Sequence, residues 1–128
     1  MEKDTYEPSE SKRFRFRIPG RSDFQAPYYV SAHVMNANGV LVAQCDSRVM
    51  GRWFSADRPV DASLVIDEPW LQPGQYTIDV FLCQSGILDA WSGAAAFSVI
   101  PVLPYPQSAS EDALDKGIVL ARFDYEDR

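Results

Sequence analysis

The sequence has no apolar run near the roughly 20 residues that a membrane-spanning helix needs. It also has few metal-binding side chains, with one histidine and two cysteines in 128 residues. A single histidine, His33, excludes any site built on a histidine pair. Cys45 and Cys83 lack CxxC spacing, which leaves a zinc site without a pattern, and two cysteines do not make a disulfide framework. There is no GxxxxGK[ST] phosphate loop, so the chain carries no ATPase of its own. Basic residues are outnumbered, 12 Lys and Arg against 18 Asp and Glu, for a net charge of −6. That balance excludes nucleic acid as the main partner, and docking on an anionic membrane, since both need clustered cations. The opening residues, MEKDTYEPSESK, show no basic segment followed by an apolar one. They predict a chain kept in the cytoplasm, without direct membrane insertion, its two thiols free in a reducing environment. No cofactor is expected.

What is present suits one compact core: 46% hydrophobic residues, 12% of the chain aromatic, at a length typical of a single domain. The chain divides into a flexible acidic arm (1–12), a folded domain (13–122) and an acidic tail (123–128). No segment shows a long helical period. Strand signals recur instead. RFRFRI (Arg13–Ile18) sets Phe14, Phe16 and Ile18 on one face and three arginines on the other. Tyr28–Met35 sets Val30, Ala32 and Val34 against Tyr29, Ser31, His33 and Met35. Asn38-Gly39 then predicts a hairpin, because both residues accept positive φ, and Val40–Cys45 is the return strand. Residues 47–61 read as a long irregular connection, followed by a short strand at Ser63–Asp67.

The segment LQPGQYTIDVFLC is the most informative. Leu71–Gly74 forms a corner, and Tyr76, Ile78, Val80 and Leu82 line one face of a long strand. A tyrosine opening a strand just after a Pro-Gly corner resembles the tyrosine corner of Ig-like sandwiches. Ile78 occupies the position where antibody domains carry a cysteine, so the disulfide is missing. Gln84–Gly93 reads as a loop, Ala94–Ile100 as a strand with Phe97 and Val99 inward, and Gly117–Ala121 as a last strand. Between these two strands, Pro101, Pro104 and Pro106 break regular structure, and Glu111, Asp112 and Asp115 mark a loop or a short helical turn. The fold class is all-β, an Ig-like antiparallel β-sandwich.

In this order the pieces resemble a known family: the C-terminal carbohydrate-binding domain of Wzt-type ATPase subunits of ABC exporters for bacterial O-antigen polysaccharide. The matching features are the hairpin on NANG, the corner LQPGQYTIDVFL, a loop with Asp89 before AFSV, and a late GIVL strand, over about residues 28–122. The resemblance implies a non-enzymatic sandwich that recognises an O-antigen-like glycan for export. It also implies a homodimer, and as further partners an ABC transporter ATPase domain or a glycan-modifying enzyme.

A sugar site needs an apolar platform with polar groups beside it. If Tyr28–Met35 and Tyr76–Cys83 share a sheet, their outward residues converge. Tyr29, Ser31, His33 and Met35 then lie beside Thr77, Asp79, Phe81 and Cys83, with the small Ala94, Ala96 and Ser98 leaving room alongside. The candidate carbohydrate contacts are Tyr29, Ser31, His33, Asp79 and Phe81, with Asp89 and Trp91 in a gating loop. Other readings stand beside these. Phe81 and Met35 can form a protein–protein or homodimer interface, Asp79 can serve only to bond a neighbouring strand, and Trp91 can plug the core. Trp53-Phe54 can either bind or anchor its connection, where Arg48 and Arg52 also lie. The row Arg13, Arg15, Arg17 needs an anionic partner, either an acidic sugar or the protein's own acidic arm and tail.

Overall fold

The computed structural model describes residues 3–20, 26–106, 113–114 and 116–127. The acidic Glu111, Asp112 and Asp115 lie outside the described residues. Among these residues nine strands follow in order: β1 (Thr5–Tyr6), β2 (Lys12–Ile18), β3 (Tyr29–Asn36), β4 (Leu41–Asp46), β5 (Val60–Ile66), β6 (Trp70–Leu71), β7 (Gly74–Cys83), β8 (Ile87–Val99) and β9 (Val119–Leu120). A five-stranded sheet has the order β1-β8-β7-β3-β4, and it packs against the two-stranded sheet β2-β5; β6 and β9 form a small third pair. The fold is the expected all-β sandwich. Among the described residues, the β1–β8 pair alone departs from an antiparallel arrangement, because it runs parallel.

The alternation in the sequence explains the two main sheets. Phe14 and Phe16 turn inward from β2, Leu64 and Ile66 from β5, Ala32 and Val34 from β3, and Tyr76, Ile78 and Val80 from β7, giving one core that spans both sheets. The NANG hairpin forms as its residues demand. Gly39 takes φ of 76°, and the Asn36 side chain accepts from the amides of Asn38 and Val40, both at 3.0 Å. The tyrosine corner also forms, with the Tyr76 hydroxyl donating to the Gln72 carbonyl at 2.6 Å. Cys45 and Cys83 are free thiols. Cys45 pairs with the inward Ala32 and Cys83 with the outward Tyr29, so they lie on opposite faces of one sheet.

Three expectations change. The arm is not loose over its described part. Tyr6 is a core residue, donates its hydroxyl to the carbonyls of Lys3 (3.0 Å) and Arg13 (3.1 Å), and packs edge-on against Phe97. Lys12, also fully buried, donates its ammonium to the carbonyls of Pro8 (3.1 Å) and Glu10 (2.9 Å), which ties the 7–10 turn to β2. Second, only Gln84–Gly86 separates β7 from β8, so most of the expected 84–93 loop is strand. Third, β5 begins at Val60 rather than Ser63. Its Asp61 is a partner for two arginines of the row: it takes both Nε (2.8 Å) and Nη2 (2.6 Å) of Arg15 and lies 3.6 Å from Arg17. An internal partner for these two is thus present on the neighbouring strand.

Candidate functional site

The outward face of β3, β4 and β7 brings together most of the expected sugar contacts. Opposite residues on neighbouring strands share a face. Register sets Tyr29 against Cys83, Ser31 against Phe81, and His33 against Asp79 on one side and Gln44 on the other. The His33 and Phe81 rings lie 4.8 Å apart, tilted by 53°. A second aromatic pair forms at the other end of β3, where Tyr29 meets Trp53 edge-on at 5.3 Å. Tyr29 and His33 are four residues apart on one strand, roughly 13 Å, so the two pairs make an elongated surface.

The turn after β4 carries the rest of the site, and its sequence explains its rigidity. Asp46 ends the strand and accepts from the Arg48 amide at 3.0 Å, capping a single 3-10 turn at Ser47–Met50. The same carboxylate takes the Arg48 guanidinium through Nε (3.0 Å) and Nη2 (2.9 Å). Arg48 is thereby held flat against Tyr29, its central carbon 3.8 Å from the ring centroid. Ser47 accepts the Val30 amide at 3.0 Å, and Gly51 closes the turn at φ of 68°, a left-handed conformation that favours glycine. Phe54 then exchanges backbone hydrogen bonds with Tyr28 and stacks on its ring at 5.8 Å. The two readings of Trp53-Phe54 are divided between the two residues: Phe54 is the anchor, and Trp53 remains 51% exposed on the outer face.

The electrostatics keep these groups in defined states. Hydrogen bonding to Arg48 holds the Asp46 carboxyl below its ordinary range and raises the Arg48 guanidinium. Burial, with the Cys83 thiol alongside, raises the Tyr29 hydroxyl, which therefore stays protonated and able to donate at neutral pH. The result is a fixed aromatic surface flanked by a cation, a carboxylate and an exposed amide, Gln44. Among the described residues, no three His, Cys, Asp or Glu side chains cluster as a metal site would require.

Several expected contacts are placed differently. Ser31 is only 4% exposed and accepts the Gln44 amide at 3.4 Å; it sits beneath Gln44 rather than at the surface. Asp79 accepts the Gly93 amide at 2.7 Å, which ties down a bulge in β8 and occupies one of its two oxygens. Asp89 and Trp91 belong to strand β8, not to a loop, and pair with Leu82 and Val80. These partners face the interior, so Asp89 and Trp91 lie on the other side of the sheet and do not gate the outer face. The same bulge moves Ala94 to the inward side, beside Ala95, while Ala96 keeps its expected place opposite Thr77. Gln44 was missed because it sits in an otherwise apolar return strand. Trp53 and Arg48 were visible only as members of an irregular connection, and connections often carry function. Compared with models of known protein families and with curated protein sequences, the chain matches none.

Proposed function

We propose that this domain is a non-catalytic carbohydrate-binding module, reading an extended polysaccharide of the O-antigen type across the outer face of β3, β4 and β7. The observation that carries the reading is the Trp53–Tyr29–Arg48–Asp46 cluster. It is a half-exposed aromatic platform whose neighbouring charged groups are already locked in place. Such preorganisation lowers the ordering cost of binding. Aromatic faces take the C–H face of a pyranose, and Gln44, Arg48 and His33 supply directional hydrogen bonds to its hydroxyls. The resemblance of the NANG hairpin and the LQPGQYTIDVFL corner to the exporter domain supports the same substrate class. It also supports a transporter ATPase or a glycan-modifying enzyme as the partner that uses the recognition event.

The test is an NMR titration of the labelled domain with O-polysaccharide from its own source. Saturable shifts at Trp53, Tyr29 and His33, lost in Trp53→Ala, are expected. A folded domain that shows no shifts with native polysaccharide would end this reading.

One observation favours a second reading, a homodimeric interaction domain. β8 is 13 residues long, yet β1 covers only Ser98 and Val99. The remaining edge carries Ile87, Leu88 and Trp91 exposed and, among Ile87–Val99, a single charged residue, Asp89. A long edge with so little charge is a template for pairing with another chain. Sedimentation at several concentrations, repeated with Ser92→Pro, tests this edge: a dimer lost in the variant supports the second reading, and the polysaccharide titration separates it from the first.

A further inference from the structure

The sandwich is under-filled between its sheets. A cavity of about 530 Å³ lies between β2-β5 and the five-stranded sheet, within the roughly 300–1,000 Å³ range of small-molecule sites. Protein interiors otherwise leave few voids larger than a water molecule. The cause is visible in the sequence, because the inward positions facing the gap include Ala32, Ala62, Ala94 and Ala95 where a sandwich core places larger side chains. Phe14, Phe16 and Val80 border the same space and are only half-buried.

The rim differs in character from the interior. It is formed by the turn after β4, where Val49 and Met50 are 80% and 76% exposed. Arg52 stands beside them over the Phe54 ring, its central carbon 5.5 Å from the centroid, and among the described residues no carboxylate pairs with it. The one carboxylate lining the cavity, Asp46, is taken by Arg48. Arg15 also lines it, paired to Asp61. The opening is therefore an apolar lip beside an uncompensated cation, in a protein that is otherwise strongly acidic.

We propose that this cavity binds a single-chain long-chain carboxylate, with its aliphatic tail between the sheets and its carboxylate at Arg52. Taking each methylene to be about the size of a water molecule's ~30 Å³ share, the volume is room for roughly 17 of them, so a twelve-carbon chain fits within it. This proposal does not rest on the sugar-reading one: the cavity is lined mostly from inward positions, and although it shares Asp46 with the sugar-reading face, Trp53, Tyr29 and Arg48 do not line it.

Cys45 supplies the readout, since its thiol lines the cavity and is only partly buried. The purified domain, stripped of lipid, is titrated with dodecanoate below its micellar range, and maleimide modification of Cys45 is followed by peptide mass spectrometry. Saturable protection of Cys45 is expected, with the buried Cys83 as an internal reference. Arg52→Gln should weaken the apparent affinity about ten-fold, the loss typical of one charge-assisted contact. Ala95→Leu should abolish protection while keeping the circular dichroism of a folded domain. Trp53→Ala should leave dodecanoate protection unchanged, which distinguishes this site from the glycan face. Three results would overturn the proposal: no saturable protection, equal protection by dodecyltrimethylammonium, or protection that grows with protein concentration without any amphiphile. The last would show that a second copy fills the gap.

Discussion

The two ends of the sandwich are built to different standards of packing. At the Tyr76 end, three aromatic rings lock around Phe97: Tyr76 stacks on it at 5.2 Å, Phe14 lies at 5.0 Å and Tyr6 meets it edge-on at 6.0 Å. Each tyrosine there has a backbone acceptor for its hydroxyl. At the Tyr28 end the rings are sparser, with Tyr28 and Phe16 both around Phe54, and beside them lie the alanine-lined cavity and the capped turn bearing Arg48, Arg52 and Trp53. The tighter packing marks the Tyr76 end as the part expected to carry most of the stability, and the proposed recognition groups lie where side chains have been left out of the core. Binding segments tend to come from the less stable parts of a fold, and the closed end would give the proposed site a rigid base.

The sharpest way to test that division is to attack the closed end. Phe97→Ala should cost about 3–5 kcal/mol, in the range for deleting a buried aromatic, measured by urea denaturation. If the loss is below about 1 kcal/mol, the two ends are not unequal after all. Tyr76→Phe should cost about 1 kcal/mol, because it removes one buried hydrogen bond and leaves the ring in place. At the open end the pattern should reverse. Trp53→Ala should change stability by less than about 0.5 kcal/mol, as for most exposed positions, while removing polysaccharide binding in the same titration. The smallest effect is a pH dependence confined to the turn. Asp46 is held below its ordinary range by Arg48, so its contribution is full above the unfolded carboxyl value and is lost as pH falls through the lowered folded one. Amide exchange at Arg48 and Arg52 should quicken over that acid window in the native protein but not in Asp46→Asn, while amides around Phe97 stay protected in both.

The closed end was largely legible in the sequence. Strict alternation in RFRFRI and in QYTIDVFL, the Asn-Gly turn and the Pro-Gly-Tyr corner each have a single local solution, and these four elements fix the two facing sheets. Tyr6 escaped because a two-residue strand in a polar, acidic run has no periodicity to display. Its place is decided by Phe97 and Val99, more than ninety positions away. The open end was harder to read for a different reason. In β8, Ser92, Gly93 and Ala94 lie opposite a single residue, Asp79, so alternation through DAWSGAA breaks there. The small residues of that interruption made the segment resemble a loop, which hid that Asp89 and Trp91 keep the phase of Phe97 and Val99 and lie on the same side of the sheet. Trp53 and Arg48 reach the outer face through a capped turn, whose geometry depends on Asp46, Ser47 and Gly51 acting together rather than on any pattern of hydrophobicity.

The parallel pairing of β1 with β8 also bears on the order of assembly. Thr5 and Tyr6 dock beside Ser98 and Val99, so this strand has no seat until more than ninety further residues have been made. Contacts of such long sequence separation form late and slow the folding of β-rich chains. Until β8 is made, β1 therefore has no partner strand and the Tyr6 ring has no Phe97 to pack against; the closed end of the sandwich is completed last.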